Sequence, residues 1–183
     1  LLLGFRERAG RFITAMEHCP VLRPEASRVL PALKDCLQGL SIARQIPQLE
    51  LAVSDDGFMV WVIRVMQPPS AHDLQRLAEF EQAQAASLSL WLQPKGPETA
   101  APLAEFLPKG SHENRRTFAD GFGLWFSITE YSLRRNFSPV DFTQVNFAGN
   151  RRLVYKAVQL LEVKLRDRGV DFFCGHGYYS FDL

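Results

Sequence analysis

The sequence lacks any long hydrophobic run. Its most apolar stretch, residues 58–65, contains Arg64 and is followed by Gln67, so it falls short of the roughly 20 apolar residues that a membrane-spanning helix needs. We therefore expect no transmembrane segment. The first six residues, LLLGFR, contain neither a basic leader nor a small-residue cleavage site, and they do not predict a signal peptide. An initiating methionine is also absent, which indicates a piece of a longer protein.

Cysteine is scarce as well. The chain contains three cysteines, at positions 19, 36 and 174, and no two of them form a CxxC pair. An odd number of cysteines without a secretion signal argues against a disulfide framework and favours a reducing compartment, so we expect the protein in the cytoplasm. Without a CxxC pair, the chain cannot build a four-cysteine metal site by itself.

An excess of charge of one sign is nearly absent. With 21 lysines and arginines against 20 aspartates and glutamates, the formal net charge is +1, so the charge balance alone does not indicate a nucleic-acid partner. Arginines nevertheless occur in pairs, at 115–116, 134–135 and 151–152. Arginine suits bidentate contacts with phosphate, although a solvated surface explains any single pair equally well.

The amino-acid composition is that of a globular protein, and the sequence contains strong local signals for helices, strands and turns. Hydrophobic residues make up 46% of the chain and charged residues 22%, which is typical of one large domain or two small ones. Over residues 1–137, apolar patterns and turn signals predict an α+β domain. The expected elements are strands at 1–6 and 11–16, a helix from 24 to about 40, a hairpin of strands 48–53 and 58–66, a helix at 70–85, and strands at 88–92, 124–128 and 132–137.

Particular residues mark the boundaries of these elements. Ser54-Asp55-Asp56-Gly57 lies between two apolar runs, and Asp-Gly in that setting is a strong hairpin signal. Ser70-Ala71-His72-Asp73 has the pattern of a capping box that opens a helix. Pro31, inside the first helical pattern, predicts a kink or a division of that helix. The stretch from 94 to 111 is rich in proline and glycine and predicts a surface loop with at most a short turn of structure.

The last segment, residues 138–183, has the pattern of a second domain. Ser138-Pro139 ends the last strand, a helix is predicted from about Asn146 to Leu161, and a short strand from Val170 to Phe173 leads into Gly175-His176-Gly177. A strand that runs into a glycine turn is how a nucleotide-binding α/β sheet begins. A GxG turn alone is weak, since many tight turns contain two glycines.

The residues around this turn carry a more specific signal. The segment Phe137-Ser138-Pro139-Val140-Asp141-Phe142-Thr143-Gln144-Val145-Asn146 is followed by a helix and then by Asp171-Phe172-Phe173-Cys174-Gly175. This arrangement closely resembles the signature of the RNA (uracil-5-)-methyltransferases that use S-adenosylmethionine. The N-terminal part, with Gly4-Phe5-Arg6, Cys19-Pro20-Val21-Leu22 and Leu30-Pro31-Ala32-Leu33, resembles the branch of that family that acts on 23S ribosomal RNA.

The resemblance implies a fold and a reaction. The fold is an α+β central domain followed by the first helix and strand of an α/β, Rossmann-like methyltransferase domain. In the reaction, a cysteine thiolate adds to C6 of a flipped-out uracil, C5 takes the methyl group from S-adenosylmethionine, and a general base removes the C5 proton. We expect that thiolate and that base beyond Leu183, so the chain alone is expected to be inactive. The expected partner is 23S ribosomal RNA, with no membrane and no protein partner implied.

The resemblance also implies which residues contact ligands. The residues matched to the S-adenosylmethionine site are Gln144, Phe173, Tyr178, Asp171, Gly175 and Gly177. Tyr178 stands where the family usually has an asparagine that helps to hold the cofactor. Phe142 matches an aromatic residue near the target base. Without the resemblance, Gln144 would be interpreted as a capping residue, Phe173 as a core residue and the glycines as ordinary turn residues.

The cysteines are interpreted in the same way. Cys19 matches the last of four cysteines that ligate a 4Fe-4S cluster in the ribosomal RNA branch, so one of four ligands is present and we expect it on an accessible surface. Taken alone, a cysteine beside a proline is more often a small buried residue. Cys36 is expected in the core. Cys174 is expected to pack around the cofactor turn, because the family's nucleophile lies in a separate, later motif.

Two other functions stay open from the sequence. A transfer RNA enzyme of the same family is the nearest alternative, and Cys19 with its flanking residues favours the ribosomal branch over it. The other alternative is a non-catalytic module that binds structured RNA through its arginine pairs and exposed aromatic residues. The sequence on both sides of this segment would separate these alternatives, because three upstream cysteines would mark the ribosomal branch and only the enzymes need a downstream nucleophile motif.

Overall fold

A computed structural model describes residues 2–108, 123–162, 164, 168–170, 172 and 174, which form a mixed α+β fold. The helices and strands are, in chain order, β1 (Gly4–Arg6), β2 (Ile13–Ala15), α1 (Pro24–Gln38), β3 (Gln48–Val53), β4 (Met59–Arg64), α2 (Ala71–Ala83), β5 (Leu88–Gln93), β6 (Ala101–Pro102), β7 (Leu124–Ile128), β8 (Leu133–Phe137) and α3 (Phe147–Leu161). The predicted α+β class is therefore confirmed. Among these residues, no helix has the length and apolar character needed to cross a membrane.

A four-stranded sheet in the order β3-β4-β5-β6 lies at the centre of the fold. β3 and β4 are antiparallel, with Leu51 opposite Trp61, and the predicted Asp-Gly turn joins them. Gly57 in that turn has a φ of 85°, a left-handed conformation that glycine adopts without steric cost. β4 and β5 are parallel, with Trp61 opposite Leu90, and α2 lies in the crossover between them. The sequence did not predict this parallel pair.

The central sheet is covered on both faces. Trp61 and Ile63 of β4 belong to a first core, which also contains the buried apolar residues of α1 and α2. Val60 and Val62 belong to a second core, formed with β7, β8 and α3, to which α3 contributes Val154. Because β4 is buried on both faces, all of its residues except the last are apolar and buried, rather than alternating between apolar and polar.

Pro31 was predicted to kink or divide α1, and the structure shows that it does not divide the helix. The helix is continuous over Pro24–Gln38 and includes Pro31. The side chain of Pro31 is exposed, whereas Leu30, Leu33 and Leu37 are buried against the sheet. Burial of one leucine contributes about 1.5 to 3 kcal/mol, so three of them outweigh the roughly 3 kcal/mol that an interior proline costs.

The stretch from 94 to 111 contains more structure than the predicted loop. In its described part, residues 97–99 and 103–106 form short 3-10 helices and β6 pairs with β5. Pro102 is tolerated in β6 because β6 is an edge strand. Leu103 is fully buried in the first core. The prediction of a surface loop with at most a short turn was therefore wrong for this part.

A polar contact joins α2 to the end of α1. Arg76 donates from Nε to the Cys36 carbonyl at 3.1 Å and from Nη2 to the Asp35 carbonyl at 3.2 Å, and a cation is favourable in the last turn of a helix. A Cβ atom at Gly39 would lie 2.4 Å from Arg76 Cζ, so glycine leaves room for this side chain. Cys36 is buried, as predicted, and burial raises the pKa of its thiol.

The predicted capping box opens α2, and Asp73 makes further contacts there. Its Oδ2 accepts hydrogen bonds from Ser70 N at 2.9 Å and Ser70 Oγ at 2.8 Å. The carboxylate also accepts from Ser41 N and Ser41 Oγ, both at 2.6 Å. Burial disfavours the charged carboxylate, but these hydrogen bonds outweigh burial and lower the pKa of Asp73 to about 2. Asp73 therefore ties the segment after α1 to the start of α2.

Two side chains in the turn between β3 and β4, Ser54 and Asp55, form hydrogen bonds with β7. Ser54 is fully buried, and its Oγ donates to Trp125 O and accepts from Trp125 N, each at 3.1 Å. Asp55 Oδ2 accepts from Ser127 N at 2.8 Å and from Ser127 Oγ at 2.7 Å. These contacts join a local turn to a strand 71 positions later, and nothing in the sequence pattern predicted them.

Candidate functional site

The segment 137–146 is fixed at both ends by aromatic packing. Phe137, the last residue of β8, is 1% exposed, and its ring centroid lies 5.9 Å from that of Phe126. Phe126 also lies 6.2 Å from Phe147, the first residue of α3. One phenylalanine of β7 thus packs against both ends of the segment and holds them close to the second core.

A tight turn follows Phe137. Asp141 Oδ2 accepts a hydrogen bond from Ser138 N at 2.6 Å, and Asp141 N donates to Ser138 O at 2.9 Å. Pro139, inside the turn, is buried. The serine, proline and aspartate of the segment therefore have a structural role, which is to set the path of the chain before Phe142.

Asn146 begins α3. Its Oδ1 accepts a hydrogen bond from Gly149 N at 2.8 Å, and its carbonyl accepts from Asn150 N at 2.8 Å. Asparagine is among the preferred residues for this position. A Cβ atom at Gly149 would lie 2.9 Å from Asn146 Cγ, so glycine allows the cap to close. The predicted start of this helix at about Asn146 is confirmed.

Between the Ser138–Asp141 turn and the Asn146 cap, three side chains point away from the core. Phe142 is 76% exposed and Val145 is 73% exposed, and Gln144 is exposed as well. We call residues 142–145 the exposed segment. Apolar side chains that are held in solvent by a well-anchored backbone are typical of a surface that another group covers. The structure therefore places Gln144 and Phe142, two predicted ligand contacts, close together and accessible.

The other predicted cofactor residues lie outside the described part of the chain. They are Asp171, Phe173, Gly175, Gly177 and Tyr178. Val170 and Phe172 are described, are 78% and 81% exposed, and belong to no strand. The strand predicted from 170 to 173 is therefore absent at these two positions. Cys174 is exposed.

Cys19 lies in the core, and the expectation that it would be accessible is wrong. It is 2% exposed and belongs to the first core. The physical reason is a contact with α1, because Cys19 N donates to the buried Ser27 Oγ at 3.0 Å and holds this part of the chain against the helix. Within the described residues, no group of three or more histidine, cysteine, aspartate and glutamate side chains could hold a metal ion. In this part of the chain, Cys19 is thus not grouped with other side chains that could complete a 4Fe-4S site.

Arg134 is stacked on an aromatic ring. Its Cζ lies 4.0 Å from the centroid of Trp125, and both residues lie on the β7–β8 hairpin. A guanidinium stacked in this way keeps its edge N–H groups available for other acceptors. Of the predicted phosphate-binding arginines, Arg134 therefore combines exposure with a fixed position. The pair at 115–116 lies outside the described residues.

Arg151 is engaged within the protein instead. It donates from Nε to Glu130 Oε2 at 3.0 Å and from Nη2 to Glu130 Oε1 at 2.9 Å, and it also contacts Thr129 Oγ1. These hydrogen bonds lower the pKa of Glu130 and raise that of Arg151. Since both groups are exposed, water screens the pair and it contributes little to stability. The two hydrogen bonds to Glu130 nonetheless engage the guanidinium group of Arg151.

The chain is similar over its whole length to proteins of known name. The 23S rRNA (uracil(1939)-C(5))-methyltransferase RlmD of Aromatoleum aromaticum is 39% identical over 183 residues, which are 100% of this chain and 39% of that protein. Proteins of the same name from Hahella chejuensis and Methylococcus capsulatus are 37% and 35% identical, over 100% of this chain and 38% of each protein. No protein-family model matches. The chain thus spans about two fifths of the length of these relatives, and the resemblance seen in the sequence is confirmed.

Proposed function

We propose that this chain, which is homologous over its full length to 23S rRNA (uracil-C5)-methyltransferases, forms part of an enzyme that methylates C5 of a uridine in 23S ribosomal RNA. The methyl donor is S-adenosylmethionine. The observation that carries the proposal is the alignment, in which identity of 35% to 39% extends over the whole chain. A shared fold alone would not imply a function, but the signature of residues 137–146 and 171–175 also resembles that of the family. The names of these relatives favour ribosomal RNA over transfer RNA.

Gln144 is the described residue best suited to bind S-adenosylmethionine, which supplies the methyl group. Its carboxamide has both donor and acceptor atoms, and the molecule to be bound carries amino, carboxylate and hydroxyl groups. Phe142 offers a flat apolar face on which an unstacked uracil can lie. The turn at Asp141 and the cap at Asn146 hold the backbone of the exposed segment before any ligand arrives, which lowers the cost of ordering on binding.

None of the three cysteines is proposed as the nucleophile. Attack at C6 of uracil requires an accessible thiolate, and Cys19 and Cys36 are buried. Cys174 is exposed but belongs to the motif that is matched to the cofactor site. We do not extend the proposal to a 4Fe-4S cluster ligated by Cys19, because that thiol lies in the first core.

The proposal is tested by methyl transfer in a protein of the relatives' full length that carries these residues. With 23S ribosomal RNA that lacks the modification, we expect transfer of the methyl group from S-adenosylmethionine and recovery of 5-methyluridine after nuclease digestion. Transfer to transfer RNA but not to 23S ribosomal RNA would overturn the ribosomal substrate. RNA binding without transfer to either substrate would point to the non-catalytic module.

In the same protein, the substitution Gln144→Ala should weaken S-adenosylmethionine binding by about 1 to 3 kcal/mol, the usual cost of an unmade hydrogen bond. Calorimetric titration measures this loss directly. The control is Cys174→Ala, which should leave turnover close to that of the wild type. Unchanged cofactor affinity in the Gln144 variant would contradict the role of Gln144, and complete loss of turnover in the Cys174 variant with intact cofactor binding would identify Cys174 as the nucleophile.

A further inference from the structure

The β1–β2 hairpin carries aromatic and basic side chains that the described fold does not use. Phe5 is 62% exposed and Phe12 is 64% exposed, and neither belongs to the two cores of the described residues or packs against them. Arg6, Arg8 and Arg11 are exposed on the same hairpin. We infer that this hairpin is a contact surface for a single-stranded part of the RNA substrate. The inference rests on the proposed function.

The pairing of β1 and β2, which one hydrogen bond continues to Glu7 and Phe12, places both phenylalanines on one face of the hairpin. Phe5 lies opposite Thr14, and Glu7 N donates to Phe12 O at 3.0 Å, so Glu7 lies opposite Phe12. Side chains that are opposite each other, or two positions apart on one strand, share a face. Phe5 and Phe12 are therefore diagonal neighbours. Aromatic residues carried on a strand surface are what unstacked RNA bases stack on in sheet-based RNA-binding modules.

The charge of the hairpin favours a polyanion as its partner. Residues 2–16 contain three arginines, Arg6, Arg8 and Arg11, and one carboxylate, that of Glu7. In the pairing described above, Glu7 lies on the face of the two rings and Arg6 on the opposite face. Arg11 Cζ lies 5.8 Å from the ring centroid of Phe12, so a guanidinium accompanies one of the stacking rings. An apolar protein surface would bury these arginines without counter-charges, which is costly. Single-stranded RNA supplies both base faces for the rings and phosphates for the guanidinium groups.

The backbone of the hairpin is held in place at its base. Met16 N donates to Leu3 O at 2.8 Å, which extends the pairing beyond the two strands. At Gly4, a Cβ atom would lie 1.7 Å from Thr14 O, so the strands approach each other in a way that only glycine permits. The two rings are thus presented on a paired backbone, and less ordering is required when RNA binds.

The test uses a protein of the relatives' full length and a 23S ribosomal RNA fragment that spans the uridine it methylates. The double substitution Phe5→Ala and Phe12→Ala should weaken RNA binding about tenfold for each stacking ring removed, as measured by fluorescence anisotropy. Cofactor affinity and the unfolding temperature should not change. The double substitution Arg8→Ala and Arg11→Ala should lower the slope of log Kd against log salt by about 0.7 for each phosphate that the variant no longer neutralises.

Matched controls are Met66→Ala, at a site that is 61% exposed, and Arg64→Ala at the exposed end of β4. Both should leave RNA affinity and the salt slope unchanged. If the wild type methylates RNA and the phenylalanine variant binds RNA as tightly as the wild type, the inference is wrong and the proposed function stands. The inference is also wrong if the phenylalanine variant unfolds at a lower temperature but binds RNA as tightly as the wild type. In that case the face with Phe5 and Phe12 is covered by another part of the longer protein. A wild type that methylates no RNA overturns the proposed function itself.

Discussion

Replacement of Phe137 by alanine is expected to lower the free energy of unfolding by about 3 to 5 kcal/mol, the range for truncation of a buried phenylalanine. Phe137 is 1% exposed and packs against Phe126 in the second core. The loss has two parts, the apolar surface of the ring and the cavity that it leaves. Leu124 and Ile128 on the neighbouring strand are fully buried, so the site has little freedom to collapse around the smaller side chain.

Phe142→Ala is the matched control, since it changes the same residue type five positions later at a side chain that is 76% exposed. We expect its free energy of unfolding to stay within about 0.5 kcal/mol of the wild type. Equilibrium unfolding in urea, followed by tryptophan fluorescence, measures both variants. A similar loss of unfolding free energy in the two variants would contradict this account. In it, Phe137 is a buried support of residues 137–146 and Phe142 is an exposed side chain of the same segment. In methyl transfer, the Phe142 variant should be impaired although its fold is intact.

Replacement of Asp73 by alanine is expected to lower the free energy of unfolding by about 3 kcal/mol at pH 7. The carboxylate accepts hydrogen bonds from Ser41 and Ser70, including one from the backbone N–H of each. Bonds to a charged acceptor are stronger than neutral ones, and a donor left without a partner adds its own cost. The loss should be seen in the midpoint of urea unfolding, with an unchanged dependence on urea concentration.

Asp73 also predicts how stability depends on pH. Its pKa is lowered from 3.8 to about 2 in the folded protein, so the folded state holds the proton less tightly than the unfolded state does. The stabilisation is therefore complete above about pH 4 and is lost as the pH falls through about 2, and it amounts to about 2 kcal/mol. The variant Asp73→Asn should lack this share of the acid dependence, whereas Glu79→Gln, on the exposed side of α2, should retain it. An acid dependence identical in wild type and Asp73→Asn would refute this account.

Local elements were predicted well because their signals lie within a few residues. The hairpin at Asp55-Asp56-Gly57 depends on turn chemistry, the start of α2 on a capping box, and β7 on a short apolar run. Each of these elements is present in the structure. The signature segment could also be recognised from the sequence, because its spacing from the later glycine motif is a property of the chain alone.

Two of the predictions that failed concern burial. Cys19 was expected to be accessible from its match to a cluster ligand, but its hydrogen bond to Ser27 draws it into the core. Leu103 was placed in a surface loop, yet it is fully buried because β6 adds to the sheet beside it. Pro31 was expected to kink or divide α1, and the helix is not divided there, since buried leucines lie on either side of the proline.

The sequence by itself determined the α+β class, most of the element boundaries and the resemblance to uracil methyltransferases. The tertiary structure alone decided that β4 and β5 pair in parallel, that Ser54 and Asp55 hold β7, and that Gln144 and Phe142 are exposed between two anchored supports. The physical reason is the distance along the chain over which each interaction acts. Propensity, capping and turn chemistry act between neighbours in the chain, whereas strand pairing and burial depend on which distant segments remove each other's surfaces from water.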